Sequence, residues 1–313
     1  MKNFLIKPSL FILFFCFFVF AASAQTAAFG EDELEGVYHT WEVNVTAGAN
    51  NFLGDVGGTQ GAGGYVKDYT VKTIRPFIGA SLDYNISYWA ALKGGVNFTM
   101  VTGADSLIKN TGGLEKWRYT RNLSFRSSII EAFVGVDLYP VMMFDKENEI
   151  HPFSPVLGIG VGVFHFNPQA QLNGQWVALQ PLHLEGQGFA EYPARHPYSL
   201  TQLYIPINIG FKYYLDNHLA LSGGMLFRHT FTDYIDDIST TYIDPALFDK
   251  YLSADQAALA KQLYARPKDV VYAAKIKPDI EKAHSNDMDT YVTLYVTLSV
   301  RLNKHVVFYY GGR

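Results

Sequence analysis

Four aspartates in the second half of the chain could bind a calcium ion. They are Asp233, Asp236, Asp237 and Asp244, and they follow a segment at 219–228 in which apolar residues alternate with small or polar ones. Carboxylate oxygens are ligands that calcium prefers, but these four lack the regular spacing and the glycine of an EF-hand loop. We therefore expect a solvated loop with its own internal hydrogen bonds, and calcium binding is the alternative.

A second group of charged residues lies inside apolar segments, at positions that alternate with the apolar residues. Successive side chains of a β-strand point to opposite faces, so these charges would share one side of a sheet. A buried charge is costly unless it is paired. If the segments close into a barrel, we expect a lumen network of Glu42, Arg75, Asp83, Lys93, Glu131, Asp137, Lys212, Arg228 and Arg301. The narrow interior of an eight-stranded barrel disfavours the alternative of a conducting pore.

The residue types of a catalytic site are present but not in a recognisable arrangement. A Ser-His-Asp triad is identified by geometry and not by order in the chain, and no histidine has a spacing to serine and aspartate that signals one. Gly54, Asp55, Gly57 and Gly58 indicate turns, because no strand-to-helix unit with a lysine follows them as in a phosphate-binding loop. We expect a non-enzymatic protein without a cofactor. The candidate histidines are His39, His165, His183, His196 and His229.

Eight alternating segments would position these residues. Each is long enough to cross a bilayer as a tilted strand. The connections between them alternate between long and short, as in outer-membrane barrels with long external loops. The prediction is an eight-stranded antiparallel transmembrane β-barrel with long extracellular loops, and the alternative is a soluble β-sandwich or lipocalin-like barrel whose apolar faces point inward. The segments are 38–47, 74–85, 88–100, 123–139, 154–166, 202–215, the first half of 219–242, and 290–302.

The composition agrees with this class. The 313 residues include 21 Tyr, 23 Phe and 27 Gly with only 17% charged residues, which favours a β-rich protein over a helical one. The formal net charge of −4 gives no reason to expect a nucleic acid as partner. Aromatic belts are expected near the strand ends, at Tyr38, Tyr84, Tyr88, Tyr139, Phe153 and Tyr213 on one side and Phe98, Phe125, Phe166, Tyr204, Phe227 and Tyr291 on the other.

The N-terminus has the pattern of a secretory signal. Lys2 and Lys7 precede an apolar core at 10–20, and Ala22-Ser23-Ala24 gives a cleavage pattern before Gln25. An uncleaved anchor helix is the alternative. The expected organisation is a cleaved signal peptide at 1–24, a flexible periplasmic leader at 25–37, an outer-membrane barrel at 38–302 and a C-terminal tail at 303–313. The expected location is the outer membrane of a Gram-negative bacterium.

The last long connection is expected to be helical. Asp244-Pro245 would open a short helix through Leu252, and Ser253 would cap a second one from Ala254, with Gln256 in the capping-box position. This helical insertion covers 244–266.

Several motifs occur in an order that resembles a known family. They include Asn51-Phe52-Leu53-Gly54-Asp55, a stretch at 121–126, and 231–242. Together they resemble the Bacteroidetes outer-membrane β-barrel family that includes PorG of the type IX secretion system. The resemblance covers roughly 41–242 and fades across 243–289. Its loop signature is Asn51, Gly54, Asp55, Arg121, Asn122, Arg126, Phe231, Asp233, Tyr234, Asp236 and Asp237.

The resemblance implies an interaction protein. Barrels of this family are thought to lie beside the periplasmic ring of the secretion machine and to help tie it to the outer membrane. The implied partners are outer-membrane lipid and periplasmic ring proteins, with the partner face at 25–37, at 140–152 and after Leu302. The signature maps instead to outer loops, where mutual packing is the simplest purpose. The rival hypothesis is a barrel of unrelated role that binds a ligand or acts as an enzyme through those loops.

Overall fold

The computed structural model describes residues 39–57, 71–108, 116–144, 152–216, 218–283 and 288–302. The signal peptide, the periplasmic leader and the tail predicted above lie outside the described residues. Within the described ranges, no helix is long and apolar enough to cross a membrane.

Eight strands close into an antiparallel barrel. The described strands are β1 (Thr40–Leu53), β2 (Arg75–Ser87), β3 (Ala90–Ala104), β4 (Ser124–Leu138), β5 (Phe153–Leu172), β6 (Gln175–Ala178), β7 (Thr201–Tyr214), β8 (Leu219–Thr230) and β9 (Thr290–Arg301). Each of the eight barrel strands pairs with its neighbour, and the pairing of β4 with β5 closes the order β4-β3-β2-β1-β9-β8-β7-β5 into a ring. The predicted fold is therefore confirmed.

The barrel has a polar interior and an apolar exterior. Along β1, Thr40 and Glu42 are at most 1% exposed, whereas Val43 is 39% and Val45 is 62% exposed. The same alternation runs around the barrel, so a continuous apolar surface faces outward. Such a surface is unfavourable in water and suits the hydrocarbon core of a membrane. The soluble alternative is wrong because its apolar faces would have to point inward.

β1, β3 and β5 extend further at their C-terminal ends than their sequence patterns indicate, β3 as far as Ala104. β1 continues to Leu53, where Asn51 pairs with Val292, and β5 continues to Leu172. The short strand β6 then adds a hairpin to the end of β5. Residues predicted to lie in loops, Asn51 among them, therefore lie in the sheet. Backbone pairing with a neighbouring strand decides where a strand ends, and a local pattern does not report that partner.

Four long connections meet at one end of the barrel, which we call the loop end; the other is the turn end. In chain order, the first connection joins β1 to β2, the second β3 to β4, the third β5 to β7 and the fourth β8 to β9. The described parts of these connections form what we call the cap: 54–57, 71–74, 105–108, 116–123, 173–200, 231–283 and 288–289. Ser253 caps its longest helix with the predicted capping box to Gln256, which is confirmed. The helices are α1 (Lys116–Arg121), α2 (Pro140–Phe144), α3 (Ala246–Tyr251), α4 (Ala254–Leu263) and α5 (Val270–Ala273), and 3-10 turns lie at Val71–Thr73, Asp105–Leu107 and Gln180–Leu182.

Buried aromatic side chains close both ends of the lumen. At the turn end, Tyr139 and Tyr214 pack with Met142 of α2. At the loop end, Phe164, Tyr204 and Tyr291 belong to a larger cluster that continues into the cap. The belt prediction is therefore wrong for the following side chains, which are at most 3% exposed because their positions face the barrel interior or the cap: Phe125, Tyr139, Phe166, Tyr204 and Tyr291.

Candidate functional site

The lumen contains three groups of paired charges, stacked between the two aromatic plugs. Nearest the turn end, Glu42 pairs with Lys212 and with Arg301, whose Nη2 lies 3.0 Å from Oε1. The barrel brings these residues together because β1 pairs with β9 and places Glu42 opposite Arg301. The side chains of Tyr139 and Tyr214 lie beside Lys212, so this group sits directly behind the turn-end plug.

The second group lies in the middle of the lumen. Nζ of Lys93 lies 2.5 Å from Asp137 and 3.5 Å from Asp83. Two small cavities, of about 70 and about 20 Å³, adjoin this group. Asn208 and Tyr295 line both. Spaces of this size hold water molecules and are too small for a metabolite.

The third group connects the lumen to the loop-end plug. Nε of Arg228 lies 3.1 Å from Oε1 of Glu131, and both side chains are completely buried. Glu131 also accepts hydrogen bonds from the Tyr291 hydroxyl at 2.7 Å and from the Asn97 amide at 2.7 Å. Because every group pairs acids with bases, the charges of the lumen are neutralised within the barrel.

One predicted member of the lumen network lies elsewhere. Arg75 is at the loop end of β2, where its guanidinium donates to the backbone carbonyls of Lys72 and Ile74. Placing Arg75 among the lumen carboxylates was wrong. It is the first residue of its strand, so its side chain reaches the preceding turn.

In the cap, Arg121 joins three connections. Its guanidinium donates two hydrogen bonds to Asp105, at 2.8 and 2.9 Å, one to the carbonyl of Asp55 at 2.7 Å and one to the carbonyl of Lys282 at 2.5 Å. Asp105 also accepts from the backbone N–H groups of Gly57 and Leu123. These bonds tie the first, second and fourth connections together.

Glu185 attaches the third connection to the fourth. Its carboxylate accepts the backbone N–H groups of Ser239 and Thr240 and the Thr240 hydroxyl, at 2.8 to 3.2 Å. The ammonium of Lys282 lies 3.5 Å from it, and both side chains are buried. None of the four residues Asp105, Glu185, Lys282 and Asp289 is among the site residues predicted from the sequence. Their one sequence signal is position, since Asp105 follows β3 and Asp289 precedes β9.

The loop signature mostly forms the cap interior. Asn51 accepts a hydrogen bond from Thr73, and Tyr234 stacks on Tyr198 with ring centroids 4.6 Å apart. Asn122 has the positive φ of 61° and donates to the carbonyl of Arg266. The remaining members lie at its edges: Gly54 packs against Phe52 and Asp289, the guanidinium of Arg126 stacks on Trp176, and Phe231 is 53% exposed.

The four aspartates of the calcium hypothesis do not form one site. Asp244 is exposed and accepts the backbone N–H of Ala246 at the start of α3. Asp236 accepts the N–H groups of Val56 and Ile238, and Asp237 accepts the Tyr198 hydroxyl at 2.6 Å. No group of three or more acidic, histidine or cysteine side chains in the described ranges is placed to hold a metal ion. The expectation of a solvated loop is also wrong, because Asp233, Asp236 and Asp237 are at most 6% exposed.

Burial shifts the acidity of these aspartates. It raises the pKa of Asp233 to about 9, which the Ser239 side chain offsets only in part, and that of Asp237 to about 7, against the opposing charge of Lys282. Burial also raises the pKa of Asp236 and of Asp289 well above the usual range, and the neighbouring carboxylates add to the rise.

The candidate histidines contact different partners. Nδ1 of His39 is 3.2 Å from the Tyr84 hydroxyl, and Nδ1 of His165 is 3.1 Å from the Thr201 hydroxyl, both at exposed positions. His229 packs edge-on against Phe231, and burial lowers the pKa of His183. His196 is exposed.

No family model and no curated protein matches the chain. Solved structures that resemble it include Neisserial surface protein A, with 12% identity, a TM-score of 0.35, and coverage of 86% of this chain and 100% of that one. Ail of Yersinia pestis in complex with a heparin analogue has 7% identity and a TM-score of 0.35, and the match covers 84% of this chain and 99% of that one. OprG from Pseudomonas aeruginosa has 10% identity and a TM-score of 0.34, and the match covers 87% of this chain and 100% of that one. At these TM-scores, the fold assignment rests on the strand pairing of this chain itself.

The strand pairing, the outward apolar surface and the neutralised lumen define the class. The chain is a closed eight-stranded antiparallel β-barrel of the outer-membrane type. To this barrel it adds a folded cap with its own buried core of leucine, phenylalanine and alanine side chains from α3, α4 and the third connection.

Proposed function

We propose that this protein is a non-conducting, non-enzymatic barrel of the outer membrane that acts as a scaffold or anchor. The observation that carries the proposal is the filled lumen. Paired charges occupy it from Glu42 to Glu131, and buried aromatic side chains close both ends. On this proposal, the side chains of the described residues block the lumen to solutes, and the protein acts through its outer surfaces.

The more specific proposal is an anchoring role in the type IX secretion machinery. It is supported by the resemblance of the motifs at 41–242 to the family that includes PorG. On this proposal, the turn end faces the periplasm, and periplasmic ring proteins bind there. One described feature of that end suits a protein contact: α2 buries Met142 in the plug and leaves Met143 and Phe144 49% and 79% exposed.

A conductance measurement tests the scaffold role. The purified full-length protein in detergent should show heat-modifiable migration on gels, which indicates a folded barrel. After reconstitution into planar bilayers, it should show no discrete channel openings. Glu131→Gln keeps the shape of its side chain and should also be silent. Stable openings of uniform size in the wild-type protein would show a pore and contradict the proposal.

A secretion experiment tests the anchoring role. In a strain that lacks the gene, proteins with a C-terminal secretion signal should remain inside the cell. Less ring protein should be recovered with the outer membrane. Met143→Ser with Phe144→Ser should reduce recovery of ring proteins with the purified barrel. Val270→Ser with Val271→Ser, at cap positions that are 83% and 65% exposed, is the control. Normal secretion and ring recovery in the deletion strain would rule out the secretion role and leave the barrel assignment intact.

A further inference from the structure

The cap interior contains more acidic than basic side chains. Its buried acids are Asp105, Glu185, Asp233, Asp236, Asp237 and Asp289, and its buried bases are Arg118, Arg121 and Lys282. Arg121 pairs with Asp105, and Lys282 lies beside Glu185. Isolated buried charges are too costly to persist without compensation. Three buried bases cannot neutralise six buried acids, so the excess of acids needs another source of positive charge.

Three of these acids lie together where the fourth connection meets β9. Asp289 immediately precedes the strand, and its Oδ2 accepts the N–H of Ile235 at 2.8 Å. Asp236 holds the N–H of Val56 at 3.0 Å. Oδ1 of Asp289 and both carboxyl oxygens of Asp233 have no hydrogen-bond partner among the described residues. Unpaired oxygens at such depth are unfavourable for charged carboxylates.

The surrounding charges do not neutralise this cluster. Asp55 and Glu185 face it and add negative charge, whereas Arg121 acts on Asp236 from the second connection and is already held by Asp105. The Ser239 side chain is the polar group that faces Asp233. Lys282 acts on Asp237, beside Tyr198 and Glu185. The cluster also lacks the arrangement of a metal site.

We propose that Asp233, Asp236 and Asp289 form a proton-holding cluster that keeps the cap closed at neutral and acidic pH and loosens it as the pH rises. A protonated carboxyl carries no charge, can donate a hydrogen bond, and does not repel its neighbours. Bound protons thus neutralise the carboxylates that the buried arginine and lysine side chains leave unpaired.

The direction of the pH effect follows from the two states. Aspartate in an unfolded chain titrates at about 4. The folded cluster keeps its protons above that value, with a pKa of about 9 for Asp233. The stabilisation is therefore complete below about pH 4 and is lost progressively as the pH rises to about 9. Within that window, the equilibrium constant for opening should increase about tenfold per pH unit for each proton released.

Infrared spectroscopy of the full-length protein in detergent micelles tests the protonation directly. At pH 7, the carbonyl absorption of buried carboxylic acids should be present, and Asp233→Asn should remove part of it. Asp279→Asn, at an exposed position of the same connection, should leave it unchanged. If Asp233→Asn does not fold, a pH titration of the wild-type absorption still decides. Absence of the acid band at pH 7 would overturn the proposal.

Hydrogen exchange measures the consequence. After correction for intrinsic exchange, peptides covering 231–243 should exchange faster at pH 9 than at pH 6, whereas strand peptides should not. Asp233→Asn should flatten this dependence. Repeating the exchange measurement with calcium and with a chelator distinguishes bound protons from a bound metal ion as the source of positive charge. Protection that depends on calcium and is lost in Asp233→Asn would assign the charge to a metal ion and contradict the proton cluster.

Discussion

The guanidinium of Arg121 and the carboxylate of Asp105 form a bidentate pair in which neither side chain reaches solvent. Two parallel hydrogen bonds of this kind fix orientation as well as charge. Because Arg121 also binds carbonyls of the first and fourth connections, the pair acts as the central tie of the cap.

Removal of Arg121 should loosen the cap and leave the barrel intact. Arg121→Leu leaves Asp105 buried without its partner, a change that costs about 3–5 kcal/mol in known cases. Chymotrypsin should then cleave the cap at least tenfold faster, while heat-modifiable migration of the barrel persists. Arg266→Leu, which removes one partly exposed hydrogen bond to Gln171, should change little. Equal cleavage rates in the two variants would contradict the central role of the pair.

The pair of Glu131 and Arg228 should matter for the barrel itself. Glu131→Ala leaves the Arg228 guanidinium buried without its carboxylate and should destabilise the folded barrel by about 3–5 kcal/mol. The double variant Glu131→Leu with Arg228→Leu removes both charges and should recover most of that loss. Urea titration in detergent, followed by gel migration, measures both. A double variant at least as destabilised as Glu131→Ala would show that the two residues are not coupled.

The outward face of β5 should be intolerant of charge. Val161 is 62% exposed and lies in the apolar surface, so Val161→Lys should cost about 2–4 kcal/mol if that position is near the bilayer midplane. The folded fraction in liposomes should fall accordingly. Val71→Lys, at a 79% exposed cap position, is the control and should fold normally. Equal folding of both proteins would argue against lipid contact at Val161.

Ser253 should stabilise α4 locally. Its side chain accepts the N–H of Gln256 in a capping box, and loss of such a cap costs about 1 kcal/mol. Ser253→Ala should increase hydrogen exchange in α4 about fivefold, and Ser253→Gly should have a smaller effect because glycine is tolerated at this position. Unchanged exchange in Ser253→Ala would show that tertiary packing alone holds the helix.

Asp237 should give the cap a second pH dependence at lower pH. Its pKa of about 7 exceeds that of an unfolded aspartate, so its contribution is complete below about pH 4 and is lost by about pH 7. Asp237→Asn should remove this part of the slope in cap proteolysis between pH 5 and 7. Asp279→Asn has the same backbone φ of 67° at an exposed position and is the matched control. An unchanged slope in Asp237→Asn would contradict the assignment.

The sequence by itself determined the barrel. Alternation of apolar and polar residues has the period of the β-strand, so it identified eight segments and the apolar face of each strand. It also predicted a charged lumen, because charges on one face of a closed sheet must pair. The capping box at Ser253 could also be predicted, because its hydrogen bonds join residues that are close together in the chain.

Only the tertiary structure shows which residues contact one another in the cap and which residues at the strand ends are buried. The bond from Arg121 to Lys282 spans 161 residues, and Asp289 reaches Ile235 across 54, so no local pattern contains either contact. Tyr204 and Tyr291 have the residue type of a membrane belt, and only strand closure places them in a plug. The same holds for the acids at 233–237. Their types indicated a loop, and the folding of distant connections over them made them a buried cluster whose charge must be compensated.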